Sequence, residues 1–181
     1  MLDCRKDRLD YGNLLTPPAG FQFDQAVAAT FSADLGTLLA LPIPLLFGHT
    51  LEGAVPETRL QLLDAVKRFA ARTTVFHQKG RLHVPSKLSF LHALLEDALA
   101  PVMPDGPYSS FHPKIWVIRY RSREDPTSLS IRFLSLSRNL TMDRSWDVAA
   151  SLDGPVGKTP RRLNVPLVTF QNPHLCGFAA K

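Results

Sequence analysis

Two runs in the middle of the chain constrain its fold more than any others: FHPKIWVIRY (111–120) and SLSIRFLSLS (128–137). Both are rich in β-branched and aromatic residues, and REDP (123–126) between them is a turn, so the pair reads as an antiparallel hairpin. Side chains alternate across a strand. His112, Lys114, Trp116 and Ile118 therefore share one face of the first strand, and Phe111, Ile115 and Val117 share the other. Both faces are apolar, which predicts a central strand covered on both sides. An ammonium at Lys114 then needs an anion, because an unpaired buried charge is costly.

The rest of the chain supplies the surrounding elements. FQFDQAVAATFS (21–32) has the character of an inner strand. Ser32 is placed to cap a following helix, with Asp34 in the first turn where the helix dipole favours an acid. LGTLLALPIPLLFG (35–48) is the most apolar run; it is shorter than a membrane span and broken by Pro42 and Pro44, so it reads as core. PETRLQLLDAVKRFAART (56–73) predicts an amphipathic helix with Leu60, Leu63, Val66 and Phe69 on one side. TTVFHQ reads as a short strand, KGR as a turn and RLHVP as a second short strand. SKLSFLHALLEDALAP (86–101) predicts a helix stopped by Pro101, and DVAASLDG (147–154) a third strand beside the hairpin. This order gives the α/β class, a sandwich with a mixed β-sheet flanked by helices. One domain is expected over 9–154, with 155–181 a linker or C-terminal tail.

Composition narrows the partners. The chain of 181 residues has a formal net charge of +5 and a pI near 9.5. That favours an anionic partner, nucleic acid or an acidic membrane surface, without choosing between them. Cys4 and Cys176 make neither a metal-ligand spacing nor a disulfide framework, which fits a reducing cytoplasm. The opening MLDCRKDRLD is too charged for a secretory signal, and no stable membrane insertion is expected.

The chemistry concentrates where the hairpin strands begin and end. Ser137 and Asn139, in SLSRNLT, share a parity and offer a hydroxyl and an amide. In a hairpin the start of the first strand lies beside the end of the second, so His112 and Lys114 are expected to face Ser137 and Asn139 across the ladder. One cation, two neutral donors and one imidazole form a cradle for a phosphoryl group.

At HPK followed by SLSRNLT the sequence resembles the phospholipase D superfamily, whose motif is His-x-Lys, a hairpin, then Gly-Ser-x-Asn, often continued by Leu-Thr. The likeness runs over residues 9–154 and includes the opening FQFDQAVAATFSADLGTLLAL, similar to phospholipase D-like proteins of nucleic-acid processing or defence. It implies a phospholipase D-like fold and a metal-independent phosphodiesterase without cofactor. In that reading His112 attacks phosphorus to form a phosphohistidine. Lys114 and Asn139 stabilise charge on the phosphate oxygens, with Ser137 a supporting donor. Asp147 orients the histidine; as a bare residue it reads equally well as a solvated aspartate at a strand start. With a single complete motif, the second histidine comes from another copy across a two-fold axis, so a homodimer is implied. Nucleic acid is the expected substrate, DNA ahead of RNA.

Two positions depart from the pattern. Arg119 stands where the superfamily usually carries an aspartate, one that the tyrosyl-DNA phosphodiesterase branch also lacks, and Leu136 replaces the glycine before Ser137. These departures weigh more against a lipase than against a phosphodiesterase and support a catalytically silent binding module; a phospholipid hydrolase or transferase of the same fold and a fragment of a two-motif enzyme are the other readings. Among other histidines, His77 in HQK lacks a Ser-x-Asn at hairpin distance, His83 is expected to pack or hydrogen-bond, and His92 to pair with Glu96. His49 and His174 sit in loops and form no ligand cluster. Arg119, Arg121, Arg123, Arg138 and Arg144 form a basic set around the motif, read either as polynucleotide contacts or as a solvated rim.

Overall fold

The computed structural model describes residues 11–47, 59–142 and 147–157. Its scaffold is a six-stranded mixed sheet. The strands are β1 (Phe21–Thr30), β3 (Thr73–Gln78), β5 (Leu99–Val102), β6 (Lys114–Ser122), β7 (Leu129–Leu136) and β8 (Ala149–Pro155), in the spatial order β5-β3-β1-β6-β7-β8. β1, β3 and β5 run parallel to one another, while β6, β7 and β8 form an antiparallel meander joined to β1 through β6. A second, two-stranded sheet pairs β2 (Ala33–Asp34) with β4 (Leu82–His83).

The core lies against one face of the large sheet. Ala26 and Ala28 of β1, Val75 of β3, Trp116, Ile118 and Tyr120 of β6 and Leu134 of β7 are in register and buried together. Helices α1 (Tyr11–Leu15), α2 (Leu35–Ala40) and α3 (Arg59–Ala70), with a π-helical turn at Ile43–Phe47, add Leu14, Leu15, Leu38, Leu45, Val66 and Phe69 to the same cluster. β6 is central, as its composition predicted. Its second face is less covered than expected: Ile115 and Val117 are half-buried, and Phe133 and Leu152, paired across β7 and β8, are 36% and 68% exposed.

Several local expectations shift. Asp34, rather than Ser32, caps α2: its carboxylate accepts from the Thr37 amide at 2.8 Å. α2 stops at Ala40, just before Pro42 as expected, and a π-helical turn then carries the apolar run on into the core. On α3 the apolar stripe is narrower than Leu60 to Phe69, since Leu60 is 76% exposed. The largest correction concerns 86–101, which is not one helix. It holds α4 (Phe90–Ala93), a 3-10 turn at Glu96–Ala98, and then β5. His92 folds back to accept from the Ser89 amide at 3.0 Å, so it caps this short helix instead of pairing with Glu96. Leu99–Val102 then takes the free edge of β3, in register from Val75↔Leu99 to Gln78↔Val102. A ladder against an existing strand outweighs the weak preference of a short segment for helix.

Gly80 turns the chain between β3 and β4 at φ +79°, a left-handed conformation that favours glycine. Cys4, His49, Arg144, His174, Cys176 and the tail from 158 lie outside the described residues. Among the described residues no helix is long and apolar enough to cross a membrane.

Candidate active site

The sequence-predicted residues gather at the end of the sheet where β6 begins and β7 finishes. Lys114 is the first residue of β6, and its register partner on β1 is Thr30, the last residue of that strand. The Lys114 ammonium lies 2.9 Å from His112 Nδ1 and 3.3 Å from Nε2. Lysine has only donors, so the ring nitrogen that accepts from it is the unprotonated one, and which of the two that is depends on the tautomer. No carboxylate lies within ion-pair distance of Lys114 among the described residues. The imidazole of exposed His112 also packs on Phe31, ring centres 4.8 Å apart and tilted by 44°.

The register corrects the expectation about Ser137 and Asn139. Ile115 pairs with Ser135, so strict alternation would carry Ser137 to the Ile115 face, away from Lys114. The chain instead bends at Ser137 and Arg138 and crosses the end of the sheet. Leu140 then meets Thr30: its amide donates to the Thr30 hydroxyl at 3.3 Å, and its carbonyl accepts from the Asp34 amide at 2.8 Å. Thr30 thus links the Lys114 strand to the Asn139–Leu140 peptide. Asn139 is half-buried, and its Oδ1 is buried with no hydrogen-bond partner among the described residues. A buried polar atom left unpaired costs about 1–3 kcal/mol. A half turn of the amide exchanges its acceptor and donor ends, so this position suits an anionic ligand's oxygen as readily as a donor.

Ser137 and Asp147 stay on the rim. The Ser137 hydroxyl donates to Asp147 at 3.0 Å and accepts from the Val148 amide at 2.9 Å. Asp147 also pairs with Arg138 at 3.2 Å, and Arg138 donates to the Thr141 carbonyl. The partner found for Asp147 is thus the bend that delivers Asn139, not the imidazole of His112. Beneath the site the floor is apolar and neutral. Trp116, two residues from Lys114 on the same face, donates to the Tyr11 hydroxyl at 2.8 Å, and burial pushes that hydroxyl far above the ordinary tyrosine range.

Sequence reasoning missed the residue that braces this arrangement, Gln78 at the end of β3. Its amide donates to the Phe31 carbonyl at 3.2 Å. Its side-chain Oε1 accepts from the Phe111 amide at 3.0 Å and from the Ser110 hydroxyl at 3.2 Å. Gln78 therefore holds both the residue before His112 and the residue that packs on its ring. Nothing local announces such a role. The neighbouring His77 is only 4% exposed, with Nδ1 on the Gln78 carbonyl at 3.1 Å, while His83 pairs with Asp34 at 3.6 Å.

The two departures from the motif sit differently. Arg119 is buried on the opposite face of β6 and bonds Asp24 of β1 at 2.6 Å, five residues along the strand from Lys114. Its replacement of an acid belongs to the sheet's other half and leaves the site untouched. Leu136 ends β7 opposite Ala149 and packs against the core at the site end. The expected basic set is largely committed: Arg121 joins Arg119 on Asp24, Arg138 is held by Asp147, and Arg123 lies in the far hairpin turn.

Fold and site together define an α/β domain at whose sheet end Lys114 meets His112, with the Asn139–Leu140 peptide joined to Thr30, the register partner of Lys114. No protein-family model matches this chain, and no curated protein matches it. Among solved structures it is similar to a mutant of yeast tyrosyl-DNA phosphodiesterase, at a TM-score of 0.48 and 15% identity, over 81% of this chain and 29% of that one. The chain thus spans under a third of that protein's length, and no functional conclusion rests on a likeness this distant.

Proposed function

We propose that this domain is a phosphodiesterase acting on nucleic acid, with His112 as nucleophile and Lys114 and Asn139 as the groups that hold the phosphate. The observation that carries this reading is the Lys114–His112 contact at 2.9 Å: a cation resting on an imidazole, with no carboxylate within ion-pair distance among the described residues. An arriving phosphodiester is a better partner for the ammonium than a ring nitrogen, because its oxygens carry the opposite charge and the ring nitrogen carries none. Transfer of the ammonium to the phosphate oxygens frees the imidazole lone pair for attack. The imidazole nitrogen then bonds to phosphorus as the bond to the leaving oxygen breaks, and that oxygen takes a proton. Lys114 and the Asn139 amide stabilise the charge that builds on the non-bridging oxygens. Water then attacks phosphorus as the nitrogen–phosphorus bond breaks, and its proton passes to the imidazole that had protonated the leaving group, restoring both rings. The proton for the leaving group comes from His112 of a second copy, which makes a homodimer the active form.

The test is cleavage of plasmid and of single-stranded DNA in EDTA, beside His112→Ala. Wild-type protein is expected to cut under these conditions and the variant to lose activity. A requirement for added magnesium, or full activity in the variant, overturns the reading. Light scattering that finds only monomer in active protein removes the shared site.

A further inference from the structure

Arg119, Arg121 and Arg138 of the expected basic rim are tied up with aspartates and Arg123 lies in the far turn, which leaves the question of what else near His112 can meet a polyanion. Arg81 answers it. Its guanidinium carbon lies 5.1 Å from the centre of the Phe31 ring, whose other neighbour is the His112 imidazole at 4.8 Å. Arg81 and His112 are therefore no further apart than these two distances laid end to end. Arg81 is exposed, and it has no carboxylate within ion-pair distance among the described residues. Its backbone is fixed on both sides: its amide donates to the Gln78 carbonyl at 3.0 Å and its carbonyl accepts from the Ala33 amide at 3.0 Å. The positive φ of Gly80 makes that turn possible and puts exposed Lys79 beside it.

A guanidinium laid on an aromatic ring keeps its planar fork of N–H donors free, and that fork matches two phosphate oxygens. The packing on Phe31 limits its motion, so less freedom is lost when it binds. We propose that Arg81, seated on Phe31, binds a second phosphate of the substrate one nucleotide step from the one at His112. The site thereby takes a polynucleotide strand in preference to an isolated phosphodiester such as a lipid headgroup. This inference rests on the phosphodiesterase reading above and adds the class of substrate.

The experiment compares two substrates that differ in the second phosphate: bis(p-nitrophenyl) phosphate, which has one, and a fluorescein-labelled single-stranded DNA oligonucleotide. Wild type, Arg81→Gln and Arg81→Lys are assayed on both. Losing one charge-assisted phosphate contact is expected to raise KM for the oligonucleotide by about tenfold or more, with a much smaller change on the small diester, and Arg81→Lys is expected to recover part of the loss. Equal losses on both substrates would mean that Arg81 merely supports Phe31 and His112, and would overturn the proposal. Should wild type turn over neither substrate, the catalytic reading fails, and binding decides the remainder. Fluorescence anisotropy over a salt series is expected to show Arg81→Gln binding more weakly, with a log–log salt slope smaller by about one. Affinity and slope identical to wild type would sink the Arg81 site on its own.

Discussion

The two ends of the six-stranded sheet treat their cations in opposite ways. Towards the 121/129/155 end, Arg119 and Arg121 converge on Asp24 at 2.6 and 3.2 Å, and Arg132 makes a two-pronged pair with Asp153 at 2.7 Å while also donating to the carbonyls of Leu14 and Thr16. At the 114/136 end, Lys114 rests on an imidazole and Arg81 on a phenyl ring, and of the described cations there only rim Arg138 has a carboxylate. Cations neutralised within the chain hold elements together. Cations left against neutral or aromatic groups remain available to an anion from outside. The distinction lies in partners rather than in composition, since both ends are rich in basic residues.

The comparison can be broken by substitutions at either end. Lys114→Met is expected to lower kcat/KM on DNA by about 10²–10³-fold, the usual cost of removing a group that stabilises transition-state charge, with the melting temperature nearly unchanged. A large loss of stability instead would make Lys114 a structural cation like those opposite. Asp24→Ala should do the reverse. It removes the carboxylate that faces Arg119, whose side chain is 4% exposed, and removal of one partner of a buried pair costs about 3 kcal/mol, measurable by urea denaturation. Activity per folded molecule should be retained.

Gln78→Leu sharpens the account of the site end. Removing the acceptor for Phe111 and Ser110 is expected to lower kcat by about tenfold with little change in KM, while Gln78→Glu, which keeps an acceptor, restores most of it. Equal effects of both variants would show that Gln78 acts only by its bulk. The smallest effect is pH-dependent. The Arg132 guanidinium holds the Asp153 carboxyl below the ordinary carboxylate range. The stability it contributes is therefore complete above the unfolded value of about 3.9 and is lost as pH falls through the lower folded value. Asp153 is 45% exposed, so the contribution is at most about 1 kcal/mol. Acid titration of wild type against Asp153→Asn should show the wild type losing its advantage only at that acid limit.

The sequence by itself determined the hairpin of β6 and β7, the third strand β8 and the strand at 73–78, because alternation and turn residues act over a few neighbours. It also marked His112, Lys114 and Asn139 as polar groups out of keeping with their surroundings. It misjudged 86–101, where a β-ladder with a distant strand overrode helical spacing. Only the tertiary structure decided how the Asn139–Leu140 peptide is brought to Thr30, through a bond spanning 110 positions, and how Gln78 steadies Phe111 across 33. It alone decided which arginines are spent on aspartates and which stay open. Such pairings depend on how the chain closes long loops, and loop closure leaves no periodic trace in the residues it brings together.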